Sequence, residues 1–264
     1  MRGEIGMEDN IRTEVINAII EGKSDYADEL IKAHKPEYLY KYRSDSEYAL
    51  DALRKKSVLI SRATEMDDDA DGRLYVSEDF KKMFEIAKKL NPKFQEPKYS
   101  RAVYGIEEES KQTTFISSFS ELNNNEDMWK RYANEKKGFC IEYKFEDLFL
   151  SNGYGLTCFP VSYEDKKPLG AREIKSKENM VFTTLYKKNR YGVDGEDWIG
   201  QREWRWSCFE KTLGLTEGQK RMLIPVAKPT RIFIRENASE DFINQLENVI
   251  EDIGGNVELI RLQK

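Results

Sequence analysis

Short runs of alternating apolar and polar residues are interleaved with helix-period stretches of unequal length, and no regular strand–helix period emerges along the chain. A doubly wound sheet needs a helix after nearly every strand, so this irregular order predicts an α+β fold. Apolar Ile11, Val15, Ile19 and Ile20 form one helical stripe from Asn10, which Gly22 interrupts before a second helix through Leu30 and Ile31 to Ala33. Tyr38 to Arg43 (YLYKYR) reads as an aromatic strand. Ser44 followed by Glu47 matches a capping box and opens a helix through Leu50 and Leu53. Further strands are predicted at Ser57 to Arg62, Thr113 to Phe119, Gly138 to Tyr143, Leu156 to Tyr163, Glu203 to Phe209, Arg231 to Arg235 and Asn256 to Leu262. Helices are predicted at Glu78 to Leu90 with Phe80, Met83, Phe84 and Ala87 inward, at Met128 to Ala133, at Asn179 to Tyr191 and at Ser239 to Ile253. Residues 1–35 read as an N-terminal helical extension and residues 36–264 as one α+β domain.

Composition narrows the chemistry more than the fold. A single histidine, His34, would have to serve alone in a zinc site or a catalytic triad, which argues against both. Cys140, Cys158 and Cys208 are far apart, form no CxxC pair and sit in strand-like apolar segments, so they read as buried free thiols of a reducing compartment. A net charge of −5 disfavours nonspecific duplex binding. A nucleic-acid binder would need Lys187, Lys188, Arg190, Arg202 and Arg205 on one face. No apolar stretch reaches the length of a membrane span, and Met1 to Asn10 lack the apolar core of a signal peptide, so the expectation is a soluble, cytoplasmic protein.

Four segments carry a resemblance: LYKYRS (Leu39 to Ser44), SFS followed by MWKRYANEKKGFCIEY (Ser118 to Tyr143), VSYED (Val161 to Asp165), and a Trp leading into REWR (Trp198 to Arg205). Together they resemble the DUF2971 family of bacterial proteins, from about Leu39 onward. The MW-x-x-YA-x-x-x-x-G-F segment is the most specific part. One departure is visible. The family usually carries Asn-Asp-Pro followed by an aromatic and an acid, and this chain has Asp67-Asp68-Asp69-Ala70-Asp71 at that place.

A second resemblance concerns order. Arg43 closes an aromatic strand, Ser117, Ser118 and Ser120 decorate a later one, and Gln201-Arg202-Glu203 precedes a third. This order is similar to the Arg-Ser-Glu class of ADP-ribosyltransferases, with longer spacings than compact members have. The resemblance implies a split, twisted mixed sheet around a cleft with flanking helices, and NAD as substrate. It also suggests a toxin or phage-defence setting. Arg43 would hold NAD phosphate or ribose, since a guanidinium fork suits phosphate. Ser118 and Ser120 would support the site, and Trp129 or Tyr132 would stack on nicotinamide. Glu203 would stabilise the oxocarbenium-like charge, and Gln201 would orient a macromolecular acceptor, protein or nucleic acid. On this reading Glu203→Gln abolishes turnover with stability nearly intact, while Gln201→Ala loses transfer and keeps hydrolysis. Each residue also has a plain structural reading, as strand cap, strand edge or core ring. The competing function is a non-enzymatic interaction module, the partner or antitoxin of a toxin, built on an aromatic surface patch of Trp129, Tyr132 and Trp198.

Asp67, Asp69, Asp71, Gly72 and Glu78 match D-x-D-x-D-G-x5-E, the pattern of a Ca²⁺ loop. The stretch before it reads as strand, and no second loop is present to pair with it. An acidic turn without metal is therefore the favoured reading, with Ca²⁺ as the alternative.

Overall fold

The computed structural model describes residues 6–68, 71–74, 76, 78–150, 156–163, 198–216, 218–254 and 256–263. The predicted helix at Asn179 to Tyr191 lies outside these residues, as do Lys187, Lys188 and Arg190.

Among the described residues the chain is α+β, with one mixed nine-stranded sheet. The strands are β1 Tyr38–Arg43, β2 Ser57–Arg62, β3 Thr114–Ser120, β4 Phe139–Lys144, β5 Thr157–Pro160, β6 Glu203–Phe209, β7 Arg221–Pro225, β8 Arg231–Ile234 and β9 Glu258–Arg261. They lie in the order β5-β6-β3-β1-β4-β8-β9, with β2 joining β3 to β7. The helices are α1 Asp9–Ile20, α2 Ser24–His34, α3 Glu47–Arg54, α4 Glu78–Leu90, α5 Pro97–Tyr104, α6 Ile106–Thr113, α7 Glu126–Tyr132, α8 Phe145–Leu150, α9 Glu210–Leu213 and α10 Glu240–Asp252. Only β8 and β9 pair in parallel, and α10 is their crossover.

The sheet forks at β3. One edge of β3 pairs with β6 along its whole length, from Thr114↔Phe209 to Ser120↔Glu203. The other edge is shared: β1 meets it only at Tyr40↔Ser120, and β2 only at Ser61↔Ile116 and Arg62↔Phe115. Between these contacts β1 and β2 diverge, and α3 carries the chain from one to the other. In this gap the Lys41 amino group donates to the Ser118 carbonyl at 2.6 Å and to Ser117 Oγ at 3.0 Å. A side chain thus meets a backbone acceptor that a neighbouring strand would otherwise satisfy.

Strand alternation sorts the two faces. Phe115, Phe119, Trp204 and Trp206 enter the main core with Val15 and Ile16 of α1, Ala27 and Ile31 of α2, Leu50 and Leu53 of α3, and Leu246 and Val249 of α10. Residues 1–35 therefore contribute their described helices to the same core as the sheet. The Arg12 side chain of α1 is fully buried; it pairs with Glu121 and donates to the Glu203 carbonyl at 2.8 Å. The opposite face carries a second cluster around Trp129, Tyr40, Tyr42 and Phe233. A satellite of Phe84, Val103 and Val76 packs α4 and α5.

Two local expectations change. The α3 cap is Ser46, whose Oγ accepts from the Ala49 amide, while Ser44 donates to Ser46 Oγ at 3.0 Å. Met83 is 60% exposed, because α4 has only a small satellite core to cover and Phe84 fills it.

Candidate functional site

A cavity of about 380 Å³ opens at the fork. Ile116 and Ser118 of β3, Glu203 and Arg205 of β6, and Leu59 and Ser61 of β2 lie on its strand face. Tyr132 and Met128 of α7, Trp198, and Asp67, Asp68 and Asp71 of the acidic turn add to its walls. Lys41 and Arg43 line it from β1.

Of the residues singled out from sequence, Arg43, Ser118, Tyr132 and Glu203 line this one cavity, although they come from distant segments. Gly138, within the most specific sequence segment, explains part of this convergence. A Cβ there would stand 2.1 Å from the Arg43 carbonyl oxygen and 2.9 Å from Ser44 backbone atoms. Only glycine lets the chain entering β4 approach the end of β1 that presents Arg43.

The polar floor is organised by Arg205, which is 1% exposed. Its guanidinium donates to both Asp71 oxygens, from Nη1 to Oδ1 at 2.8 Å and from Nη2 to Oδ2 at 3.0 Å. Its Nε and Nη2 also donate to Glu203 Oε2, at 3.0 and 2.7 Å. Burial alone would lower the Arg205 pKa, but Asp71 and Glu203 outweigh it and hold the pKa above its ordinary value. Asp71 and Glu203 are thereby fixed to one another through a shared cation. Burial, then the Glu203 carboxylate, pushes the Tyr132 phenol well up, so Tyr132 stays protonated.

Lys41 is the cavity residue that strand-by-strand reading overlooks. Burial, with Arg43 next, brings its amino group down to about 7. Its signal in the sequence is a lysine two places before Arg43, which alternation puts on the same face of β1.

Several expected site residues are elsewhere. Trp129 is fully buried, donates Nε1–H to the Asn123 carbonyl at 2.8 Å and packs edge-on against Tyr42, so it is a core ring and has no free face for a ligand. Ser120 is fully buried; its hydroxyl donates to the Gln201 carbonyl at 2.7 Å and accepts from the Leu122 amide. Gln201 is 3% exposed, its buried Oε1 has no hydrogen-bond partner among the described residues, and it does not line the cavity. The cause is Arg202, left-handed at φ 46°, which breaks the strand alternation that would have put Gln201 and Glu203 on one face. Arg202 itself pairs with Glu121 at 2.8 Å. With Arg205 buried on Asp71, the two described members of the basic set form no basic face. The aromatic patch of the interaction-module reading is not on the surface either, since Trp129 and Trp198 are both buried.

In the acidic turn, Gly72 adopts φ +70° as a sharp turn requires. Both Asp71 oxygens face Arg205, Glu78 is exposed and pairs with Lys81 at 3.2 Å, and Asp69 lies outside the described residues. Among the described residues no group of three or more His, Cys, Asp or Glu is placed to hold a metal ion. Asp71 acts there as an ion-pair partner, and the turn as one wall of the cavity.

The three cysteines are free and buried, as their sequence settings imply. No described helix is long and apolar enough to cross a membrane.

Residues 128–206 match the family described as "Protein of unknown function (DUF2971)". The matched span contains Met128, Tyr132, Gly138, Glu203 and Arg205, while Lys41, Arg43, Asp71 and Ser118 precede it. No curated protein and no solved structure matches the chain.

Proposed function

We propose that the cavity binds NAD and that the protein cleaves the bond between nicotinamide and ribose, passing ADP-ribose to a macromolecular acceptor or to water. One observation carries this reading: Arg43, Ser118 and Glu203 meet in a single cavity, in the chain order that the Arg-Ser-Glu enzymes use, and Tyr132 joins them there. Arg43 supplies a cation for phosphate. Tyr132 supplies a ring beside Glu203 for stacking on nicotinamide.

In this reaction the glycosidic C–N bond breaks and its electron pair goes to the nicotinamide ring nitrogen, which becomes neutral. The ribose is left as an oxocarbenium-like cation. Glu203, held in place by Arg205, offers negative charge to that cation without reorganising. The nucleophile's oxygen or nitrogen then bonds to the anomeric carbon and its proton leaves to solvent. Incubation with NAD⁺ labelled on the adenylate side, with and without cell lysate, tests the proposal. Labelled macromolecule or free ADP-ribose is the expected product. Intact NAD⁺ under every condition, with no binding, refutes it.

A further inference from the structure

We propose that Lys41 and Arg43 together form an anion subsite at the fork of the sheet, taking a phosphate group of the ligand, and that Lys41 gains a proton as the anion binds. The inference rests on the reading that the cavity holds a phosphate-bearing ligand; it does not need glycosidic cleavage.

The cavity's cations fall into two groups. Arg205 is balanced by Asp71 and Glu203, and Arg221 by Glu65 at 3.1 Å. Lys41 and Arg43, two places apart on β1, form no ion pair with a carboxylate among the described residues, yet both line the cavity. Two like charges side by side without a counterion are unfavourable, and they gain most from an anion that bridges them. Ser44 and Ser118 also line the cavity.

The bonds of Lys41 inside the fork do not require its charge. A neutral amine still has two N–H groups, enough for the Ser118 carbonyl and Ser117 Oγ. The groups facing it are mixed. Arg43 on β1 and Arg205 on β6 disfavour the charged form. Glu203 on β6 favours it, as does the Phe119 ring of β3, 5.2 Å away. Opposite on β4 stands uncharged Ile141, and β2 presents Leu59 and Ser61 to the cavity. Burial, the largest cause, together with these charges sets its titration at about 7, poised to change state when an anion arrives.

Calorimetry with sulfate and with ADP-ribose, each in two buffers of different ionisation enthalpy, tests this. Neither ligand titrates between pH 6 and 8, so proton uptake reports the protein. Uptake of about 0.9 proton per bound anion is expected at pH 8 and about 0.1 at pH 6. Lys41→Met abolishes the uptake and weakens affinity about tenfold or more. Lys41→Arg, permanently charged, keeps binding and loses the uptake, so it carries the test if the Met variant does not fold. Sulfate binding with uptake but no ADP-ribose binding upholds the subsite and refutes the NAD reading. Failure of both anions to bind, binding without proton uptake, or unchanged affinity and uptake in Lys41→Met overturns the subsite.

Discussion

Asp71→Ala is the most informative perturbation of the polar floor. The Arg205 guanidinium and the Asp71 carboxylate are 1% and 4% exposed, and two charge-assisted hydrogen bonds join them. Removing one member of a buried pair typically costs about 3–5 kcal/mol. Glu203 still balances Arg205, and water can enter from the cavity, so the lower end, about 3 kcal/mol, is expected. For a chain of this size that is a fall of roughly 6–12 °C in Tm. Urea unfolding of Asp71→Ala, Arg205→Met and the double variant measures it. Arg205→Met alone leaves Asp71 and Glu203 without their shared cation, so the double variant should be more stable than the sum of the single losses, by about 1–3 kcal/mol. A loss below about 0.5 kcal/mol for Asp71→Ala, or strict additivity in the cycle, refutes the claim that Arg205 anchors the turn to β6.

Glu203→Gln should lower NAD⁺ turnover about a hundred- to a thousandfold, read from released ADP-ribose. It should also cost about 1–3 kcal/mol in denaturant unfolding, because Arg205 keeps only one anionic partner. Gln201→Ala should affect transfer and hydrolysis together, since Gln201 is buried outside the cavity lining and cannot meet an acceptor there; loss of transfer alone would contradict that placement. Lys41 titrates at about 7 when folded, against about 10.4 in an unfolded chain. The unfolded state binds more protons between those values, so this group makes stability rise with pH across that window and contributes no slope below it. Lys41→Met should flatten that rise between pH 7.5 and 9.5, and equal slopes for both proteins would refute the assignment. Burial pushes the Cys140, Cys158 and Cys208 thiols up, Cys208 to about 12, so a disulfide reagent at pH 8 should modify none of them until denaturant is added. Rapid labelling of the native protein would show that a thiol is accessible.

Elements with strong local pattern were legible in the sequence. Tyr38–Arg43, Ser57–Arg62 and Glu203–Phe209 are strands with the expected ends, because alternation and β-branched or aromatic residues coincide there. β7, with only Ile224 fully buried, pairs on one side alone and shows little alternation, so it was not foreseen. The α5 and α6 helices are not legible either; each has eight residues, about two turns, with few buried apolar residues. For the site, the chain order of Arg43, Ser118 and Glu203 was readable, but the contribution of Lys41 was not. It depends on where β1 and β2 part from β3, which no local window contains. Asp71 was visible only as a turn residue or Ca²⁺ ligand, since its partner Arg205 is distant in sequence. Gln201 was misplaced because one left-handed residue, Arg202, reverses the inference from spacing.

The position of β6 has a kinetic consequence. It lies between β3 and β5, and Arg12 of α1 bonds the backbone oxygen of Glu203 across 191 positions. As the chain emerges from the ribosome, β3 waits for its partner with a seven-residue edge of unpaired peptide groups, Thr114 to Ser120. Contacts of such long sequence separation form late. The cavity, whose floor is β6, is therefore among the last parts of the molecule to exist during synthesis. A chain stalled before β6 has no floor to the cavity and a sticky edge in its place, so it is more prone to aggregate than to act.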